Sequence, residues 1–244
     1  MTLHKIRAAF FITCICDQFF PQVGESAVKV LRRLGVEVTF NPGQTCCGQP
    51  AFNTGYRDEA RAVAARVLDL YQNAEYVVAP SGSCTSMVRV FYPELFAGDP
   101  KRLRQAEDLK TRFFEFSEFL VKVLKVEDVG ASFARRVAYH DSCHLLRELG
   151  IEQEPRKLLR SVRGIELVEM KDNQSCCGFG GTFSVKFPEV SVAMGQDKLR
   201  AASDAGADVI VANDSSCLMQ IQGILDRQKR PTRTLHLAEV LASQ

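Results

Sequence analysis

Nine cysteines in 244 residues are the groups in this sequence best suited to chemistry. Four stand as adjacent pairs followed by glycine, in Gln44-Thr45-Cys46-Cys47-Gly48 and Gln174-Ser175-Cys176-Cys177-Gly178. Each pair has a lone cysteine upstream, Cys16 and Cys143, and another downstream, Cys84 and Cys217. Eight of the nine therefore fall into two matched sets, leaving Cys14 over. Neighbouring cysteines bridge each other only with strain. Both can turn toward one metal centre when a glycine lets the loop fold tightly. No C-x-x-C occurs, which argues against zinc-ribbon and thioredoxin sites. Four thiolates per set suit tetrahedral Zn²⁺ or one Fe–S cluster. The competing reading is eight small buried hydrophobes, because free cysteine is among the most buried residue types. Two adjacent pairs duplicated with their flanks weigh against it. A thiol–disulfide role for Cys46 and Cys47 ranks last, since no C-x-x-C helix start is present.

The elements that must position these cysteines also come twice. Residues 7–13 form a near-continuous apolar run, read as a buried strand and not as a signal peptide, because no small-residue cleavage site follows. A turn through Cys14, Cys16 and Asp17 leads to a helix opened by Pro21 and stopped at Gly35. A strand over 36–40 then delivers the first Cys-Cys-Gly. A helix over 58–72, a strand over 75–79, a Pro-Ser-Gly-Ser turn and a helix from Thr85 follow. Residues 97–109 read as a charged helical excursion or linker on the surface, and Phe113, Phe116, Phe119, Leu120 and Val123 as an apolar helical stripe of core packing. The second half replays the order, with strands at 136–140, 165–169 and 207–212 and helices at 155–162, 190–205 and 218–228. A repeat of about 125 residues is too long for a solenoid unit and reads as a duplicated domain. The expected fold class is α/β: two tandem homologous domains, 1–128 and 129–244, with mainly parallel sheets. The cysteines then lie at strand carboxyl ends, beside helix starts that favour an anionic centre.

Composition limits the function classes. Hydrophobic residues make up 46%, enough for a full core, and the net charge of +2 comes from 31 basic and 29 acidic residues. That balance gives no electrostatic case for nucleic acid or an anionic membrane. No apolar stretch approaches the ~20 residues of a membrane span. A cytoplasmic setting is expected, where clustered thiols favour metal ligation over disulfides. No Rossmann glycine fingerprint, P-loop or flavin motif is present.

The strings Thr45-Cys46-Cys47-Gly48-Gln49-Pro50-Ala51, Pro80-Ser81-Gly82-Ser83-Cys84, Tyr139-His140-Asp141-Ser142-Cys143-His144 and Cys176-Cys177-Gly178-Phe179-Gly180-Gly181 carry a resemblance. Nearly end to end, the chain resembles the lactate-utilization protein A group of the cysteine-rich "CCG" family. That family also includes a cysteine-rich component of heterodisulfide reductase and the Fe–S component of glycolate oxidase. The resemblance implies an electron-transferring Fe–S component, not active alone, of a cytoplasmic system that oxidises L-lactate to pyruvate. It implies [4Fe–4S] clusters, one or two, and as partners a ferredoxin-like Fe–S protein and a third small protein. The sequence departs from the family pattern where a further cysteine often closes each repeat, having Met87 and Gln220 there. Each set is left with four thiolates: Cys16, Cys46, Cys47 and Cys84; Cys143, Cys176, Cys177 and Cys217. Zinc at one or both sites, in a scaffold component that carries no electrons, is the alternative. Cys14 and Asp141 read as occupying corresponding places, with Cys14 a bystander. His140 and His144 flank Cys143 as ligands or as hydrogen-bond donors, and the lone His4 and His236 receive no role.

Overall fold

The computed structural model describes residues 5–244, so His4 lies outside the described residues. Each half builds a four-stranded, all-parallel sheet. In the first, β1 (Arg7–Phe10), β2 (Glu37–Thr39), β3 (Tyr76–Ala79) and β4 (Phe113–Glu115) stand in the order β2-β1-β3-β4. In the second, β5 (Arg136–Tyr139), β6 (Glu166–Val168), β7 (Val209–Ala212) and β8 (Arg233–His236) repeat it as β6-β5-β7-β8. The registers correspond, Ala9 pairing with Val77 and Ala138 with Ile210 on the central strands. This is the α/β duplication expected from the sequence. Four strands form in each half where three were expected. Of the two added, β4 contains the first residues of the supposed aromatic stripe, and the surface excursion before it is the helix Pro100–Arg112, which buries Ala106 and Leu109.

Central strands are apolar on both faces because helices cover both. Phe10 and Val78 point into one core, while Phe11, Val77 and Ala79 point into another. The first of these cores is common to the two halves. It joins β1 and β3 to β5 and β7 through helices Pro21–Arg33 and Gln153–Arg160. The closing helix of each half packs on the other half. Leu237–Ala242 lies on Pro21–Arg33, and the helical stretch from Phe116 lies on Gln153–Arg160. Arg33 fixes the first contact by donating to the carbonyls of Val129, Leu241 and Ala242 at 3.1, 3.3 and 3.1 Å. Among the described residues no helix is long and apolar enough to cross a membrane.

Candidate metal centres

Each cysteine arrives by a short local device. Thr13 caps the helix Cys14–Phe19, and Ser81 caps Gly82–Ser86 by accepting from Cys84 N–H. Cys14 and Cys84 therefore sit in first helical turns, as Cys143 and Cys217 do in Cys143–Arg147 and Ser215–Arg227. The unpaired N–H groups there favour negative charge. The pairs lie on loops turned by Gly48 and Gly178, with φ of 89° and 87°. Both left-handed turns aim the glycine N–H at the first sulfur of the pair, 3.4 Å from Cys46 Sγ and from Cys176 Sγ.

In the first set, Cys14 Sγ lies 3.5 Å from Cys46 Sγ, and Cys47 Sγ lies 3.4 Å from Cys84 Sγ. In the second, Cys143 neighbours Cys176 closely enough for each to bear on the other's protonation, and Cys177 and Cys217 converge with a ring nitrogen of His140, all three donor atoms within 4.8 Å of one another. The first set thus assembles around Cys14. Cys16 is fully buried with its sulfur 3.1 Å from Ser215 Oγ, across the junction between the halves. The reason is positional. Cys14 follows the start of β1 by the same interval that Cys143 follows the start of β5, so Cys16 corresponds to Leu145. Leu145 meets Gly82, where an added Cβ would stand 2.6 Å from the leucine Cβ, as Cys16 meets the matching Ser215. Cys16 and Leu145 are the paired wedges of one pseudo-twofold junction. Ile12, not Cys14, is the counterpart of Asp141. The near-equal intervals from Cys14 to Cys46 and from Cys143 to Cys176 carried this signal.

The thiols share protons. Cys46 is held down at about 3 by hydrogen bonds from Cys14, then Cys47, aided by Gly48 N–H, while Cys14 is pushed up as the donor. Cys176 is held at about 2 by Cys143 and Cys177, and Cys143 is pushed up in the same way. The bond from Cys177 brings Cys217 to about 6, with His140 adding to the effect. Cys16 moves up to about 11, chiefly through burial. Clustered soft donors beside helix N-termini fit a zinc ion or an Fe–S cluster. The orphaned ring nitrogens of His140, buried with no hydrogen-bond partner, fit a group at the second set.

Both sets open on one cleft between the halves. Asp214 spans it. Its Oδ1 accepts from Ser81 Oγ at 2.7 Å and from Ser83 N and Oγ at 3.0 and 2.7 Å, while Oδ2 is buried without a partner. Sequence reading passed over Asp214, although it occupies the place of Ser81. Met87 is fully buried in apolar core, and Gln220 Nε2 donates to Ser191 Oγ at 2.8 Å. These two positions serve packing and loop bracing, leaving four cysteines at each set.

Two tandem cysteine-rich α/β repeats facing one cleft define the class, and residues 8–89 and 137–222 each match the family described as CCG, cysteine-rich domain. Lactate utilization protein A of Bacillus velezensis is 47% identical over 98% of this chain and 100% of its own length. The proteins of the same name from Exiguobacterium sp. and Bacillus subtilis are 48% and 45% identical, over 96% and 98% of this chain and 96% and 100% of theirs. The chain belongs to the lactate utilization protein A family. Among solved structures, a hypothetical protein from Helicobacter pylori is similar with a TM-score of 0.69 at 14% identity, over 96% of this chain and 48% of that one, a likeness of fold.

Proposed function

We propose that this chain is a metal-bearing, electron-carrying component of a lactate-utilization system. The observation that carries the reading is the pair of matched thiol sets facing one cleft, in a chain whose relatives are named for lactate utilization. Oxidation of L-lactate to pyruvate releases two electrons and two protons, and a [4Fe–4S] cluster, when bound, accepts and passes electrons singly. Cys14, Cys46, Cys47 and Cys84 would hold one such group, and Cys143, Cys176, Cys177 and Cys217 the other. The chain's own contribution is to hold Cys14, Cys84, Cys143 and Cys217 in first helical turns, to brace Cys46 and Cys176 with Gly48 and Gly178 N–H, and to shelter the sulfurs in the junction. A ferredoxin-like Fe–S protein and a third small protein, in the cytoplasm, are the partners of this reading. The repeats divide at 128/129.

Purification without oxygen, followed by iron and sulfide analysis and an EPR spectrum, tests the reading. The expected result is a brown protein with about four irons per occupied site. Colourless protein lacking iron after anaerobic reconstitution would overturn it. Stoichiometric zinc in its place would make the chain a zinc-stabilised scaffold of the same system.

A further inference from the structure

The two thiol sets occupy unlike surroundings. At the place of His140 in the second half, the first half has Phe11, whose ring packs at 5.8 Å from Tyr71 and 5.4 Å from Phe113 in a wholly apolar core. His140 is equally buried, yet neither ring nitrogen has a hydrogen-bond partner. Its backbone is held in the sheet, His140 N–H continuing the β5–β7 ladder by donating to Val211 O at 2.8 Å. A buried polar group left unpaired is costly, and an apolar ring at this place avoids that cost, as Phe11 does. What the imidazole does face is sulfur, with Cys177 and Cys217 among its neighbours. His144, the other histidine near Cys143, is already committed to the Glu148 carboxylate, which also accepts from Ser86.

We infer that His140 is a nitrogen ligand of the second metal centre, so that the chain carries one all-sulfur site and one mixed sulfur–nitrogen site. The inference rests on the metal-binding reading above and deepens it. A further difference runs the same way. Lys198, buried where the first half has Val67, donates to the carbonyls of Asp172 and Asn173, both at 2.9 Å, and braces the loop that leads to Cys176. The imidazole then joins the four thiolates as a neutral ligand that adds no negative charge, with the buried Lys198 ammonium behind the same loop.

Pulsed EPR on the reduced, anaerobically reconstituted full chain, prepared with ¹⁴N- or ¹⁵N-histidine, tests this without any substitution. The expected result is a directly coupled nitrogen whose signal follows the histidine isotope. The coupling is expected to be lost in H140F, which copies the first half, and kept in H144Q. In H140F one of the two reduction potentials is expected to shift while the other stays. Metal in the second site without a histidine coupling would overturn the inference and leave the Fe–S reading standing. Absence of metal from both sites would overturn both. With zinc bound instead, X-ray absorption showing a nitrogen neighbour lost in H140F supports the ligand while removing the electron-carrying role, and sulfur-only neighbours overturn it.

Discussion

Cys14 and Cys16 differ by two positions and do different physical work. Cys14 meets Cys46, and Cys16 wedges the junction against Ser215. Substituting Cys14 by serine is expected to remove the metal of the first site, about half of the total, in elemental analysis of anaerobically prepared protein. Substituting Cys16 by valine, apolar like its counterpart Leu145, is expected to leave the metal content unchanged. The turn glycines allow a second comparison. At Gly48 a Cβ would stand 3.3 Å from Ala60 O, so alanine there costs mainly its left-handed φ, roughly 1–2 kcal/mol. At Gly178 it would stand 2.4 Å from Ser191 O, a backbone atom that cannot swing aside. Overpacking adds about 1–3 kcal/mol there. Thermal unfolding is therefore expected to rank G178A well below G48A. The sequence made the Cys-Cys-Gly turns legible because a glycine in that spacing has few other uses. It hid the pairing of Cys14, because Cys14 and Cys16 are chemically alike and only their distance from β1 separates them.

At the scale of elements, the repeats were readable wherever an apolar run ended in a turn before a helix. The strands β4 and β8 were not. Each is three or four residues long, and each runs directly into a helix whose own apolar spacing absorbs it. Their last residues show why the short strands matter. Glu115, ending β4, caps its helix by accepting from Ser117 and Glu118 N–H, and also accepts from Asn213 Nδ2 at 2.9 Å. His236, ending β8, caps its own helix by accepting from Ala238 N–H at 3.1 Å through Nδ1, and donates through Nε2 to Pro80 O at 3.1 Å. Since Pro80 and Asn213 correspond, each cap reaches the same point on the opposite half. Burial lowers the His236 pKa from 6.5 to about 4. The unfolded chain therefore takes up a proton near pH 6.5 that the folded chain refuses until about pH 4. Stability is fully present above pH 6.5 and falls as pH drops to 4, by on the order of 3 kcal/mol from this group. Denaturant unfolding of wild type and H236N at several pH values checks this. Asparagine retains a good helix cap, and the variant is expected to have a flatter profile in that window.

For the whole molecule, the duplication has gone beyond two beads on a string. The core between the sheets draws on both halves, with Leu31, Val78 and Phe119 joined to Tyr139, Leu158 and Leu241. Each closing helix is spent on the other half, and Arg33 ties the chain's last helix to its first long one. A half-chain would expose the inner face of its sheet and leave its long helix uncovered. Each large side chain returned to water forfeits roughly 1.5–3 kcal/mol, against a stability of about 5–15 kcal/mol for an ordinary domain. Loss of several such contacts exceeds that margin. Residues 1–128 and 129–244 expressed separately are therefore expected to be insoluble or to lack a cooperative transition. Expressed together, they are expected to recover a one-to-one complex, because the pseudo-twofold junction is made of side chains and needs no peptide link at residue 128. Gel filtration and calorimetry distinguish the outcomes. Two separately stable halves would show that the thiol sets can be assembled one at a time, and that the cleft between them is a product of tethering and not of the fold.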